Sequence, residues 1–272
     1  MRDSGTLLAT AAGRTAVIAL CKPEDREFLL AAAHSALDTA RASGLVVDPV
    51  TVRERAADES EWRDVWKQFF RATRVGRRFM VRPSWDPGPA AQGEHVIDLD
   101  PGRAFGTGAH PSTRLVIGLA EDVRDERADV TRYLDLGCGS GILSIAAARL
   151  WPAASGMAID NDPEATSCAA ENLEHNRVHQ VAVVTGTLAQ AEGKFDLILA
   201  NIQADVLCEL AAAMAGKLSG TGHAILSGIL LDQVDEVLTA YASVGLGIVR
   251  RKDESEWSGL LLGRVSGSGS PL

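Results

Sequence analysis

Asp135-Leu136-Gly137-Cys138-Gly139-Ser140-Gly141 is the stretch that decides the fold. It follows the short apolar run Arg132-Tyr133-Leu134 and opens into Ile142-Leu143-Ser144-Ile145-Ala146-Ala147-Ala148-Arg149-Leu150. The first piece reads as a buried strand and the last as a helix with apolar residues at helical spacing. Three glycines at alternate positions make a turn whose backbone can lie flat against a ligand. The N-terminus of the next helix adds N–H groups and the positive end of its dipole. About twenty-five residues on, the strand Ser155-Gly156-Met157-Ala158-Ile159-Asp160 ends in an acid, where a ribose diol can be gripped. Strand, glycine turn, helix and strand-end carboxylate mark a site for an adenosine-type cofactor. Its expected contacts are Gly137, Gly139, Gly141 and Asp160.

The spacing narrows the cofactor. A dinucleotide fingerprint runs G-x-G-x-x-G, its second glycine giving room to a pyrophosphate. Here it runs D-x-G-x-G-x-G, and Asp135 stands at the strand end before the turn. A carboxylate there repels a pyrophosphate but suits the cationic amino acid end of S-adenosylmethionine, directly or through water. Asp135 is therefore an expected cofactor residue and counts against a nicotinamide oxidoreductase. A tight turn in a doubly wound sheet that binds nothing is the bland alternative, and it leaves Asp160 unexplained.

The chain has 272 residues and a formal net charge of -9, with 46% hydrophobic residues. That length suits one large domain or a medium one with a small appendage. The acidic balance argues against a general nucleic-acid binder. No apolar run approaches the roughly twenty residues of a membrane span, and the first residues lack a signal-peptide core, so a cytoplasmic protein is expected. Cys21, Cys138, Cys168 and Cys208 lie far apart without a C-x-x-C pair, and neither a metal site nor a disulfide framework is expected.

Four segments are expected along the chain. Residues 1–57 read as a small β-α-β domain: a strand Thr15–Cys21, a helix Glu24–Ala42 and an alternating strand Pro49–Arg55. Residues 58–95 read as a helical and extended linker. Trp62, Trp66, Phe69 and Phe70 lie at helical spacing there, among Arg63, Lys67, Arg71, Arg74, Arg77, Arg78 and Arg82. An RNA surface is one reading of that stretch. The aromatics share a face instead of interleaving with the basic residues, which favours a connector whose arginines are solvated. Residues 96–265 read as a catalytic domain of strands alternating with helices, closed by a hairpin Leu246–Arg250 and Trp257–Arg264 around the charged turn Lys252-Asp253-Glu254-Ser255. This predicts a doubly wound α/β sheet with an antiparallel strand at one edge. Residues 266–272 read as a disordered tail.

Two further features belong to the site. Asp100-Pro101-Gly102-Arg103-Ala104-Phe105-Gly106-Thr107-Gly108-Ala109-His110-Pro111 precedes a helix, with Pro111 at its first position. Two glycines flank Thr107, whose hydroxyl is a candidate cofactor contact under a loop that covers the site. His110 invites assignment as a general base, but a histidine before a proline at a helix start reads first as a cap or packing residue. Asn201 follows the strand Phe195–Ala200, at the carboxyl end where open sheets hold their reactive groups. Its carboxamide is the candidate catalytic group, orienting a substrate nitrogen.

Together these residues resemble the PrmA family of ribosomal protein methyltransferases. The likeness rests on Asp100-Pro101-Gly102-x-Ala104-Phe105-Gly106-Thr107-Gly108-x-His110-Pro111, Asp135-x-Gly137-Cys138-Gly139-Ser140-Gly141-Ile142-Leu143 and Ile159-Asp160-x-Asp162-Pro163. Ala200-Asn201-Ile202, Leu226-Ser227-Gly228-Ile229-Leu230, Glu256-Trp257, Trp62-x-x-x-Trp66, Gly76-Arg77-Arg78 and Pro83-Ser84-Trp85 extend it over roughly residues 58–264. The resemblance implies a class I S-adenosylmethionine-dependent methyltransferase. It also implies a Rossmann-like, seven-stranded doubly wound sheet, a small N-terminal α+β domain and S-adenosyl-L-methionine as methyl donor. The implied acceptors are lysine side-chain or N-terminal amines of ribosomal protein L11. Thr107, Gly137, Asp160 and Asn201 match the family's cofactor contacts. Two departures touch substrate choice: only one β-α-β half of the family's N-terminal domain is visible, and Gln203 stands where an apolar residue is expected. A different protein substrate, such as an electron-transfer flavoprotein subunit, is the competing reading within the class. A non-catalytic module that keeps the cofactor fold is the reading from outside it.

Overall fold

The computed structural model describes residues 6–11, 14–19, 26–42, 71–86, 88–99, 108 and 110–265. The chain divides into two compact units, Met1–Phe69 and Phe70–Leu272. In the first, β1 (Thr6–Ala11) pairs antiparallel with β2 (Arg14–Ala19), from Thr6↔Ala19 to Ala11↔Arg14, and α1 spans Arg26–Ala42. The expected helix is present. Strand β1 precedes the expected strand Thr15–Cys21 and falls where no strand is expected. The expected strand Pro49–Arg55, the aromatics Trp62–Phe70 and the tail 266–272 lie outside the described residues.

The second unit holds a seven-stranded sheet ordered β11-β12-β10-β9-β6-β7-β8. Its strands are β6 (Arg132–Leu136), β7 (Ser155–Asp160), β8 (Val181–Thr185), β9 (Phe195–Asn201), β10 (Leu218–Leu230), β11 (Leu246–Glu254) and β12 (Trp257–Arg264). Neighbours from β8 to β10 pair in parallel, and β12 runs antiparallel between β10 and β11. Helices α2 (Pro111–Glu126), α3 (Ile142–Leu150), α4 (Pro163–His175), α5 (Ala204–Lys217) and α6 (Val234–Ala242) cross between them.

Alternation along the central strands explains why both faces are covered. Tyr133, Leu197 and Leu199 pack with Ile117, Leu143 and Leu173 on one face. Leu134, Ile198 and Ala200 pack with Leu207, Met214 and Val237 on the other. A strand buried on both sides reads as a continuous apolar run, which is what Leu197-Ile198-Leu199-Ala200 is. Truncating such a residue, Ile198→Ala for instance, would leave a cavity costing about 2–5 kcal/mol.

Residues 71–95 of the expected linker are built into a small sheet together with residues 96–98, the expected start of the catalytic domain. They form β3 (Thr73–Val75), β4 (Phe79–Arg82) and β5 (His95–Asp98), with β3 antiparallel and β5 parallel to β4. Val75, Phe79, Val81 and Ile97 are buried in the core that α2 shares. The cause is a carboxylate 44 residues away: fully buried Glu121 on α2 accepts the Arg77 N–H at 2.9 Å and the Arg78 N–H at 2.8 Å. Gly76, at φ +63, leaves the room that this carboxylate needs. The arginines expected to be solvated are paired: Arg77 with Asp122 and Asp125, Arg78 with Asp125, Arg82 with Asp98. The closing hairpin is also longer than expected, β11 running on to Glu254 so that the turn falls at Ser255 and Glu256.

Candidate active site

The strand order reverses between β6 and β9, so their carboxyl ends open a crevice of the kind where open α/β sheets bind ligands. The glycine turn follows β6. The N–H groups of Gly137 and Cys138 both reach the Ile159 carbonyl, at 2.8 and 3.1 Å, which ties the turn to β7. Gly137 (φ +71), Gly139 (φ +51) and Gly141 (φ +78) all adopt the left-handed backbone that favours glycine. A Cβ on Gly137 would collide with the Ile202 side chain. Gly141 instead faces α4, its Cβ position 3.2 Å from Ala169, so it serves helix packing more than ligand approach.

Asp160 closes the turn from the end of β7. Its Oδ2 accepts the Gly139 N–H at 2.9 Å and its Oδ1 the Asp162 N–H at 3.1 Å. A carboxylate offers about four lone-pair sites, so this partly exposed group keeps capacity for two hydroxyls.

Asp135 departs from its expected exposure. It is fully buried, and its Oδ2 accepts the Ser144 hydroxyl at 2.7 Å while Oδ1 is buried without a hydrogen-bond partner. Burial pushes its pKa up to about 6, against the pull of the Ser144 hydroxyl and backbone. Asp135 thus sits behind the turn and offers no surface for direct contact in this conformation. Burial, with Asp135 and Asp160 adding to it, also pushes the Cys138 thiol well up, leaving it a neutral packing group.

On the other side of the crevice, Asn201 ends β9 opposite Ser227 of β10. Its Nδ2 donates to the Thr113 Oγ1 at 3.3 Å. Thr113, fully buried in the first turn of α2, was not singled out by the sequence, because the contact spans 88 residues. Ile202 is wedged between two glycines, since a Cβ on Gly228 (φ +82) would strike the Ile202 backbone just as one on Gly137 would strike its side chain. That wedge fixes where the chain leaves β9. Gln203 is exposed, which explains why a polar residue is tolerated there.

His110 is the cap that the sequence suggested: its Nδ1 accepts the Ser112 N–H at 3.3 Å and lies 2.7 Å from the Ser112 Oγ. Its ring stands edge-on to Trp257, centroids 4.9 Å apart. Burial and then Arg114 lower its pKa, which favours the neutral ring. Thr107 lies outside the described residues. Gly108, next to it, abuts α3, with its Cβ position 2.9 Å from the Ile142 Cδ1. A shallow surface groove of about 560 Å³ between Thr187 and Lys217 contains none of these residues.

These residues fit an adenosine cofactor. Positive-φ glycines form the cradle, Asp160 has spare acceptor capacity, and an orphaned buried carboxylate oxygen lies behind them. The strand order, with an antiparallel strand inserted next to the edge, together with this turn and acid, defines a class I S-adenosylmethionine-dependent methyltransferase fold. The family model for ribosomal protein L11 methyltransferase (PrmA) matches residues 8–264, and the chain belongs to that family. The ribosomal protein L11 methyltransferase of Geobacter sulfurreducens is 43% identical over 224 residues, 82% of this chain and 73% of that protein. Its counterpart from Geotalea uraniireducens is 39% identical over 74% of this chain, and the match spans 66% of that protein. The crystal structure of ribosomal protein L11 methylase from Lactobacillus delbrueckii subsp. bulgaricus is 33% identical. It superposes with a TM-score of 0.65 over 72% of this chain and 99% of that one. The family match begins well before residue 58, where the resemblance read from motifs began.

Proposed function

We propose that this enzyme transfers methyl groups from S-adenosylmethionine to lysine side-chain or N-terminal amines of a protein, ribosomal protein L11 being the substrate. The observation that carries this reading is the Asn201–Thr113 hydrogen bond at the end of β9, beside the glycine turn. When bound, the cofactor supplies an electrophilic methyl on a sulfonium. Gly137 and Gly139 cradle its adenosine and amino acid parts, Asp160 takes the ribose hydroxyls, and Thr107 and Asn201 complete the contacts. Asp135 acts from behind the turn through the field of its carboxylate.

The chain's own task is to deliver a neutral amine. A lysine of pKa about 10.4 is neutral roughly once in a thousand at pH 7, a handicap of about 4 kcal/mol. Desolvation against an apolar wall lowers that pKa, and a fixed acceptor aims the lone pair. Thr113 holds the Asn201 amide nitrogen, which turns its carbonyl oxygen towards an incoming N–H. The His110–Trp257 pair supplies aromatic surface on the β12 side, away from Asp160. Since the leaving group departs neutral, no strong general base is needed.

Among the described residues no helix is long and apolar enough to cross a membrane. A ribosomal protein substrate would place the enzyme in the cytoplasm, with the segment read from the sequence as a small domain, residues 1–57, as its recognition element. The test is transfer of label from radioactive S-adenosylmethionine to purified L11 and to a cell extract. Labelled L11 is expected; a different labelled band with L11 untouched would reassign the substrate. Asn201→Ala should lower turnover more than cofactor affinity, and equal losses would move Asn201 wholly into the cofactor shell.

A further inference from the structure

Strand β10 changes register with β12 at the point where β9 ends. The pairing runs regularly from His223↔Gly263 to Leu226↔Leu260 and resumes at Ile229↔Ser258. Two residues of β10, Ser227 and Gly228, therefore oppose one of β12, Gly259, which makes a β-bulge. On its other edge β10 pairs in parallel with β9, and the last pair is Ser227↔Asn201. The bulge thus falls level with Asn201 on a strand of 13 residues.

The glycines here make room for different elements. Gly228 (φ +82) lies so close to Ile202 that a Cβ would strike its backbone carbonyl. From the β6 side, Gly137 lies as close to the Ile202 Cγ2. Gly259 receives α2 instead, its Cβ position 2.9 Å from the Leu115 Cβ and 3.1 Å from the Leu119 Cδ1. That helix carries Thr113, whose Oγ1 accepts from the Asn201 Nδ2. Two fully buried hydroxyls pin the bulge to its neighbours. Ser227 donates to the Ser258 carbonyl of β12 at 2.9 Å, and Ser258 donates to the Asp253 Oδ1 of β11 at 2.7 Å. Asn201 is therefore held twice, through its amide by α2 and through its chain neighbour by the bulge and the glycine turn.

We propose that Ile202 and the Ser227–Gly228 bulge position Asn201 for methyl transfer, setting its carboxamide at a fixed distance from the glycine turn. The inference rests on the proposed role of Asn201 and deepens it. Bulges bend their strands and re-aim what lies beside them. This one places backbone against the residue that follows the amine-orienting group, while the turn that cradles the cofactor presses from the other side. Methyl transfer asks for such a fixture, since donor and acceptor sit on different strands and a misplacement of an ångström is costly.

The test compares two substitutions at Ile202. Leucine keeps the volume and apolarity of isoleucine but has no branch at Cβ, so the methyl that faces Gly137 is lost. Valine is smaller and keeps it. Turnover is read from label transferred to L11, and the dissociation constant of S-adenosylhomocysteine by calorimetry. Ile202→Leu is expected to lower kcat about tenfold or more with the dissociation constant within about twofold, and Ile202→Val to retain most of that turnover. In an Asn201→Ala background Ile202→Leu should cost little more. Lower melting temperatures with turnover kept would make Ile202 a packing residue and overturn the proposal. Matching losses in turnover and affinity would overturn it too, as would additive losses with Asn201→Ala. If Ile202→Leu does not fold, Ser227→Ala replaces it and is expected to show the same split between kcat and affinity. Absence of transfer to L11 by the unmodified enzyme would count against the proposed substrate, and NMR of the Asn201 carboxamide then decides. Its proton shifts are expected to move in Ile202→Leu and hold in Ile202→Val; shifts unmoved in both overturn the proposal.

Discussion

Asp196 and Asp135 sit on neighbouring strands of one sheet, at opposite ends, and the fold treats them in opposite ways. Asp196, near the amino end of β9, accepts the Thr131 N–H at 3.0 Å, the Thr131 hydroxyl at 2.7 Å, the Arg132 N–H at 3.2 Å and the Ser219 hydroxyl at 3.0 Å. Burial pushes its pKa up, but these donors outweigh it and hold the carboxyl below its usual range. Asp135, near the carboxyl end of β6, is fully buried with one oxygen unpartnered, and its pKa stands at about 6. One carboxylate clasps three elements together; the other is kept at a cost beside the glycine turn. The amino end of the sheet is built for stability, and the carboxyl end accepts an unsatisfied group where a cationic ligand end is expected.

The largest effect should come from Asp196→Ala. Four donors lose their acceptor at once, though water reaches some of them, and the loss is expected at about 3 kcal/mol in urea unfolding at pH 7. A carboxyl with a depressed folded pKa stabilises above its unfolded value near 3.9, and that contribution disappears as pH falls through the folded value. The gap between variant and parent should therefore narrow below about pH 4. Cofactor affinity should not move; a weakened dissociation constant would break the division between the two ends.

Asp135→Asn should act in the reverse direction. With a folded pKa raised to about 6, the stability this group contributes is full below the unfolded value and lost as pH rises through 6. Keeping the charge buried at pH 8 costs about 3 kcal/mol on this arithmetic. An asparagine can still meet the Ser144 hydroxyl, so the variant should be about 2 kcal/mol more stable than the parent at pH 8 and equal to it at pH 4. Its affinity for S-adenosylmethionine should fall in the same measurement series. Unchanged stability at pH 8 would mean that the fold supports the charge after all.

The contrast also marks what could be read from the chain. The glycine turn, the acid ending β7 and the strand–helix alternation are local patterns, and the sheet follows from them. Thr113 behind Asn201, Glu121 under the Gly76 turn and Asn176 on Asp98 are contacts across 88, 44 and 78 residues. No window of sequence contains both partners, so β3 and β4 read as part of a basic linker and Thr113 as one more helical residue. The same distance hid the depth of Asp135. Its identity argued for a contact with the ligand, while its burial depends on helices packed from elsewhere in the chain.

The smallest expected effect tests the electrostatic basis of the comparison. Ser144, fully buried in the first turn of α3, donates its hydroxyl to the Asp135 Oδ2 at 2.7 Å. Ser144→Ala removes one of the two groups that pull the Asp135 pKa down, so that pKa should climb further. Alanine is the better helix former by a few tenths of a kcal/mol, which offsets part of the loss and leaves a net cost of about 1 kcal/mol at pH 8. At pH 4 Asp135 is neutral and the cost should shrink, because a hydrogen bond to a charged group is worth more than one to a neutral group. In the Asp135→Asn background the serine should matter less still, giving a coupling of about 0.5–1 kcal/mol in a double-mutant cycle at pH 8. A cost that is the same at both pH values and in both backgrounds would make Ser144 a packing residue. The orphaned carboxylate would then have no hydroxyl holding its charge, and the contrast with Asp196 would rest on burial alone.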